Sequence, residues 1–359
     1  MEKKVTISLA FYNKLINDME TFGFKNTNGE YKQNHFFTTV IVNTYKYRNQ
    51  NKNLLIEQIK NVLLDKDNKL VNNEIINLIK ENENSPYFNQ NITDLAILLT
   101  NKTYENENLN ETNKKNIFIR STFKNEDDLE EIINSSSHLA ASTIFKNILQ
   151  EYISYPMYIR ERILFLDIYN KLVYLKDNSL SCLVESKKEY KNYQTGETYF
   201  NSFVFDTYDI IVGKEEYHYY LVGKGKNSNN KYEPSIMSMK LSSIKQVISL
   251  NKTYTLSQED VKTIKEKLVN GAEWIGGEYK QIVVKFTDYG MKLYESLYKD
   301  RPNYESINGN IYTFYTNGAA LVNYLKPFGR HAKILSPNEL NETLLSFYEK
   351  AYNNLKNCI

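Results

Sequence analysis

Cysteine is almost missing from this 359-residue chain, with Cys182 and Cys358 the only two. They make no metal-ligand spacing, and the scattered His35, His138, His218 and His331 add no cluster, so neither a metal site nor a cofactor is expected. So few thiols fit a reduced, cytoplasmic protein. Glycine numbers only 13 and forms no phosphate-cradling loop; Gly223-Lys224-Gly225-Lys226 is too short and reads as the turn at a strand end. No apolar run approaches the ~20 residues of a membrane span. Met1-Glu2-Lys3-Lys4 leads straight into an alternating strand with no apolar signal core, so neither membrane insertion nor export is expected. Excess charge is also lacking: the net value is +2, so any nucleic-acid site must be a local patch. Finally, no nucleophile sits beside a plausible base, and pairs such as Glu215-Glu216 read as solvated surface. No catalytic residue is assigned, and an enzyme is not expected.

What the chain does have is enough apolar content, 41% with 13% aromatic, to pack two or three domains. Its 30 tyrosines accompany an abundance of Asn and Lys that reflects coding bias more than function.

The N-terminal half contains a repeat. Residues 4–9 alternate, with Val5, Ile7 and Leu9 on one face and Lys4, Thr6 and Ser8 on the other. A helix over 10–22 follows, stopped by Gly23, and a second begins near Asn34. The order returns at 116–155. Ile117 and Ile119 oppose Asn116, Phe118 and Arg120; a helix capped by Asn125 or Asp127 carries Leu129, Ile132 and Ile133; the next, with Leu139, Ile144, Ile148 and Leu149, runs to Pro156. Strand–helix–helix twice resembles the ribbon-helix-helix fold, in which two such strands pair antiparallel. Two halves in one chain predict an intramolecular ribbon, because a lone strand leaves its edges unpaired. Its polar face, Lys4, Thr6 and Ser8 with Asn116, Phe118 and Arg120, would then enter a major groove, contact RNA by stacking, or be structural. Residues 1–60 carry nine Lys/Arg against five Asp/Glu, a modest excess that favours a polyanion. Between the halves, about 50–112 reads as a helical insert, with 101–115 as a linker.

From Tyr158 a long linking helix is expected, with Arg160 and Arg162 as candidate phosphate contacts or plain solvated surface. Beyond it, strands near 180–186, 197–205 with 208–212, 217–224 and 236–248 suit a small barrel. Tyr219-Tyr220-Leu221, Met239-Lys240-Leu241-Ser242-Ser243-Ile244-Lys245-Gln246-Val247 and the later Phe328-Gly329…Ser336-Pro337 resemble the WYL family, a Sm-like β-barrel with a C-terminal extension. The resemblance implies a nucleic-acid-binding or ligand-sensing regulator. It also implies base stacking on Tyr208 and Tyr219 and a basic contact at Lys240. Two departures stand out: Thr207 replaces a common proline, and Ser242-Ser243 replaces the family's ligand-gripping arginine, which puts the usual pocket in doubt.

The fold class is therefore α+β. A ribbon-helix-helix module with its insert is expected over 1–156, a linking helix over 157–178, a WYL barrel over 179–262, and an α/β sandwich extension over 265–359 that dimerises. Arg160-Glu161-Arg162-Ile163-Leu164-Phe165 and Phe286-Thr287-Asp288-Tyr289-Gly290, with Tyr298, Arg301 and Pro302, are similar to the WYL accessory proteins encoded beside type VI-D CRISPR effectors. That similarity implies a homodimer that binds single-stranded RNA and stimulates an RNA-guided RNase. The competing expectations are a regulator of duplex DNA and a protein-binding adaptor.

Overall fold

A computed structural model describes residues 1–25, 30–64, 114–135, 139–191, 198–214, 217–228, 233–277, 279–297 and 301–357. Most of the expected insert lies outside them. The chain forms two compact units, Met1–Tyr155 and Pro156–Ile359. It is a mixed α+β protein, with ten α-helices and several sheets among the described residues. No helix there is long and apolar enough to cross a membrane.

In the first unit the two expected strands do pair within the chain. Strands β1 (Glu2–Ser8) and β2 (Lys114–Arg120) run antiparallel, with Lys4 opposite Phe118 and Val5 opposite Ile117. Alternation sends Val5, Ile7, Ile117 and Ile119 inward, each at most 3% exposed. Under them lie α1 (Leu9–Thr21), α2 (Gln33–Leu64), α3 (Glu126–Asn134) and α4 (Ala141–Ser154). They contribute Leu15, Met19, Phe37, Leu129, Phe145 and Tyr152, all fully buried. Helix α1 ends at Phe22, after which Gly23 turns the chain at φ 76°. Some boundaries differ from expectation: Leu9, expected on the inner face of the strand, opens α1 instead and is 40% exposed. Helix α2 continues through residue 50 to Leu64, since nothing in Asn49-Gln50-Asn51 stops it. Lys114 and Lys115, expected in a linker, open β2.

The second unit begins with two helices instead of one, α5 (Met157–Leu164) and α6 (Leu166–Asp177). Phe165, at φ −114° and ψ 35°, separates them. Helix α6 packs across β3 (Leu180–Lys191), β4 (Thr198–Val212) and β7 (Ile244–Thr253). With β5 (Tyr219–Asn227) and β6 (Ser235–Lys240) these make an antiparallel sheet in the order β6-β5-β4-β3-β7. Strands β4 and β5 lie so close that a Cβ on Gly223 would meet the Asp206 carbonyl oxygen at 2.1 Å, which only glycine avoids.

The expected closing strand over 236–248 is cut by a 3-10 turn at Leu241–Ser243, and its halves pair with opposite edges of the sheet. Five flat strands would place those edges roughly 19 Å apart at ~4.8 Å per gap. The connection from Lys240 to Ile244 spans at most about 14 Å. The sheet is therefore strongly curled. It is not a closed barrel, for β6 and β7 make no ladder with each other among the described residues.

Helix α7 (Gln258–Leu268), opened by a capping box between Ser257 and Asp260, leads to the second sheet of this unit. There β8 (Tyr279–Phe286), β9 (Ser306–Asn308), β10 (Ile311–Asn317) and β11 (Ala332–Ser336) lie in the order β11-β8-β10-β9. Helices α8 (Asp288–Ser296), α9 (Gly318–Leu325) and α10 (Asn338–Asn357) accompany them. Trp274, Ile282, Val284, Phe286, Phe314 and Phe328 fill the core between. Val222, Ile264, Ala272 and Ile275 join this part to the curled sheet.

Candidate nucleic-acid interface

The outer face of the ribbon carries most of the residues expected there. Lys4 and Phe118 face outward side by side, and Phe118 is 47% exposed. The Thr6 hydroxyl donates to Asn116 Oδ1 at 2.9 Å, so this polar pair is ordered before any partner arrives. Arg120 points outward, but its Nε donates to Glu2 Oε1 at 3.2 Å. Its backbone is clasped by Asn34, which accepts from Arg120 N at 2.8 Å and donates to Arg120 O at 3.1 Å. Lys4, Lys114 and Lys124 are exposed and pair with no carboxylate among the described residues. Ser8 departs from expectation. It is 7% exposed, and its Oγ accepts from Phe11 N at 3.2 Å, capping α1. A hydroxyl that holds a helix N-terminus cannot read a groove.

In the second unit the expected residues do not form a single surface. Tyr219 is buried, its ring held edge-on by Tyr158 at 5.7 Å and Tyr169 at 5.3 Å. No face of it is left for a base, which corrects its assignment as a stacking platform. Tyr208 packs half-buried against the Val222–Ile275 cluster. On α5, the Arg162 guanidinium lies 4.1 Å above the Tyr169 ring, and Arg160 is half-buried. Lys240, half-buried, pairs with Tyr220 at the last position before the 3-10 turn.

The residue that organises this region, Glu161, attracted no notice in the sequence. Its side chain has no exposure. Oε2 accepts from Tyr219 N at 2.6 Å, Oε1 accepts from Ser242 N at 3.0 Å, and His218 Nδ1 lies 3.0 Å from Oε1. One carboxyl thus ties α5 to the first residue of β5 and to the turn between β6 and β7. Between two arginines it looks like solvated helix, but Met157, Leu164 and Phe165 stand at −4, +3 and +4, so it occupies a core-facing position. Nearby, the ammonium of Lys187 sits 3.8 Å above the Phe165 ring. Burial of that ammonium among apolar groups lowers it to about 8, while Glu161 acts in the opposite direction. Among the described residues no group of three or more His, Cys, Asp or Glu side chains could hold a metal ion.

No protein-family profile and no curated protein matches the chain. Solved structures do. The crystal structure of a CRISPR Cas-related protein aligns with 100% of this chain and 95% of its own, with a TM-score of 0.61 and 17% identity. The two share a fold over the whole chain. Proteasome accessory factor B/C of Arthrobacter aurescens covers 50% of this chain and 25% of its own at 10% identity, and its TM-score of 0.23 bears no argument.

Proposed function

We propose that this chain is a non-enzymatic accessory protein of a CRISPR system. On this reading it binds single-stranded RNA and stimulates an RNA-guided RNase of the type VI-D kind. The observation that carries the reading is the full-length fold likeness to a CRISPR Cas-related protein. The finer architecture belongs to the same proposal. The first unit is a ribbon-helix-helix module with both halves in one chain, and the curled sheet is a WYL domain of Sm-like type. The C-terminal sheet with its helices is the extension that makes a cytoplasmic homodimer. The exposed cations and Phe118 on the ribbon supply phosphate contacts and one stacking ring.

A second reading has its own support. A two-stranded antiparallel ribbon presenting Lys4, Thr6, Asn116 and Arg120 has the shape and polarity of a major-groove reader. On that reading the protein is a transcription regulator of duplex DNA. Fluorescence polarisation against matched single-stranded RNA, single-stranded DNA and duplex DNA over a salt series separates them. Preference for single-stranded RNA, with stimulation of a type VI-D effector in a cleavage assay, is the expected result. Duplex preference with a steep salt slope would transfer the case to the regulator. No binding to any of the three would leave a protein-binding adaptor.

A further inference from the structure

Phe123 is 99% exposed, more than any other large apolar side chain of the described residues. It sits in the turn Ser121-Thr122-Phe123-Lys124-Asn125, between β2 and α3. A lone exposed apolar residue is ordinary on a loop free to fold it away. This turn is not free. Before it, Asn34 clasps Arg120 from both sides. Ser121 N donates to Met1 O at 2.9 Å, and the Met1 ammonium donates to Ser121 Oγ at 2.6 Å. After Phe123, Asn125 closes the turn: its Oδ1 accepts from Thr122 N at 2.7 Å, and its N donates to Thr122 O at 3.0 Å. The backbone that carries the ring is thus held in a braced turn.

Lys124, exposed and with no carboxylate partner among the described residues, follows it directly, while Arg120, three residues before it, is held by Glu2. Three of the acidic groups nearby are engaged. Glu2 is paired with Arg120, Glu126 with the Met1 ammonium at 3.4 Å, and Asp128 with Lys46 at 2.9 Å. Asp127, Glu130 and Glu131 of α3 have no ion-pair partner among the described residues. A protruding ring followed directly by the exposed Lys124 fits a base with its phosphate better than an apolar protein patch, which would bring further apolar neighbours.

We propose that Phe123 is a stacking platform for an unpaired base of single-stranded nucleic acid, with Lys124 placed for the adjoining phosphate. The inference rests on the nucleic-acid reading and deepens it. The test uses the full chain and a labelled oligo(U) strand of about 12 nucleotides, in the size range such sites cover. Phe123→Ala should weaken binding about 5- to 150-fold, the range for loss of one base–aromatic stack. It should leave the slope of affinity against salt unchanged, because no phosphate contact is removed. Thermal stability should not move, since the ring touches almost nothing. Phe123→Trp should restore affinity, and its exposed emission, distinct from that of buried Trp274, should be quenched by the strand. If wild type binds the strand and Phe123→Ala binds it equally well, the stacking role is wrong while the nucleic-acid reading stands. If wild type binds no nucleic acid, both fall.

Discussion

Replacing Glu161 by alanine removes the acceptor for two buried backbone N–H groups, those of Tyr219 and Ser242. Each donor left buried and unsatisfied costs roughly 1–3 kcal/mol, so the pair costs about 2–6 kcal/mol. That is a large part of the 5–15 kcal/mol that usually holds a domain together. With a urea dependence of about 2 kcal/mol per molar, the unfolding midpoint should fall by roughly 1–3 M. The chain supplies its own probe. Trp274 is its one tryptophan, lies in the same unit and is 3% exposed, so its fluorescence reports that unit alone. Glu161→Gln should fall between alanine and wild type, because its carbonyl oxygen can serve one of the two donors while its amide opposes the other. His218→Ala is the control. It gives up the hydrogen bond to Glu161 from a side chain that keeps 15% exposure, a loss of about 0.5–1.5 kcal/mol for that bond. An alanine variant with a wild-type midpoint would refute the reasoning, because water or a neighbouring group would then be satisfying both donors.

Three further outcomes are expected. Burial pushes the phenols of Tyr254 and Tyr279 up to about 12. An acid whose folded pKa lies above its unfolded value near 10 stabilises the fold below that value and loses the contribution as pH rises through it. The urea midpoint should therefore drop between about pH 10 and 12, with phenolate absorbance appearing as the second unit unfolds; a flat midpoint would contradict it. On the ribbon, Lys4→Ala should lower the salt slope for a single strand by about 0.7. Arg120→Ala should lower it less, since Glu2 already holds that guanidinium, and equal effects would show that the ion pair opens on binding. Helix α10 leaves Leu345, Tyr352 and Leu355 at 51%, 65% and 70% exposure. Light scattering should give twice the chain mass for wild type and a smaller species for Leu355→Asp, and a wild-type monomer would rule out the dimer.

The ribbon was legible because its information is local. Strict alternation fixes which side chains face in, and with one face buried a register slip would expose Val5 and Ile117, so the pairing follows from the two strands alone. The strand Tyr279–Phe286 and the helix start after it are local in the same way: Ile282, Val284 and Phe286 alternate inward, and Thr287, a cap residue by type, accepts from Gly290 N on Oγ1 at 3.1 Å. The corner at Leu241–Ser243 was not, since Leu-Ser-Ser contains neither glycine nor proline to mark a turn. Part of what holds it is the carboxyl of Glu161, eighty-one positions earlier in the chain. The break at Phe165 was hidden for a similar reason: apolar spacing runs on from α5 into α6. Ser8 looked like a groove-reading hydroxyl because alternation put it on the outer face, whereas as the N-cap of α1 it is 7% exposed.

These long-range ties also bear on where binding can reside. In the curled sheet the corner at Leu241–Ser243 is turned inward. Ser242 is 9% exposed and gives its N–H to Glu161. Tyr219 is enclosed by Tyr158 and Tyr169, and Arg162 is spent on the Tyr169 face. These groups are therefore already committed to the fold of the curled sheet. The ribbon faces no such conflict. Its inward residues carry the packing, its outward ones carry charge and two exposed rings, Phe118 and Phe123, and ordering them costs little because Asn34, Ser121 and Asn125 already brace the chain. A nucleic-acid partner would find both charge and stacking surface on the ribbon, while the curled sheet keeps its aromatic and ionic groups for its own fold.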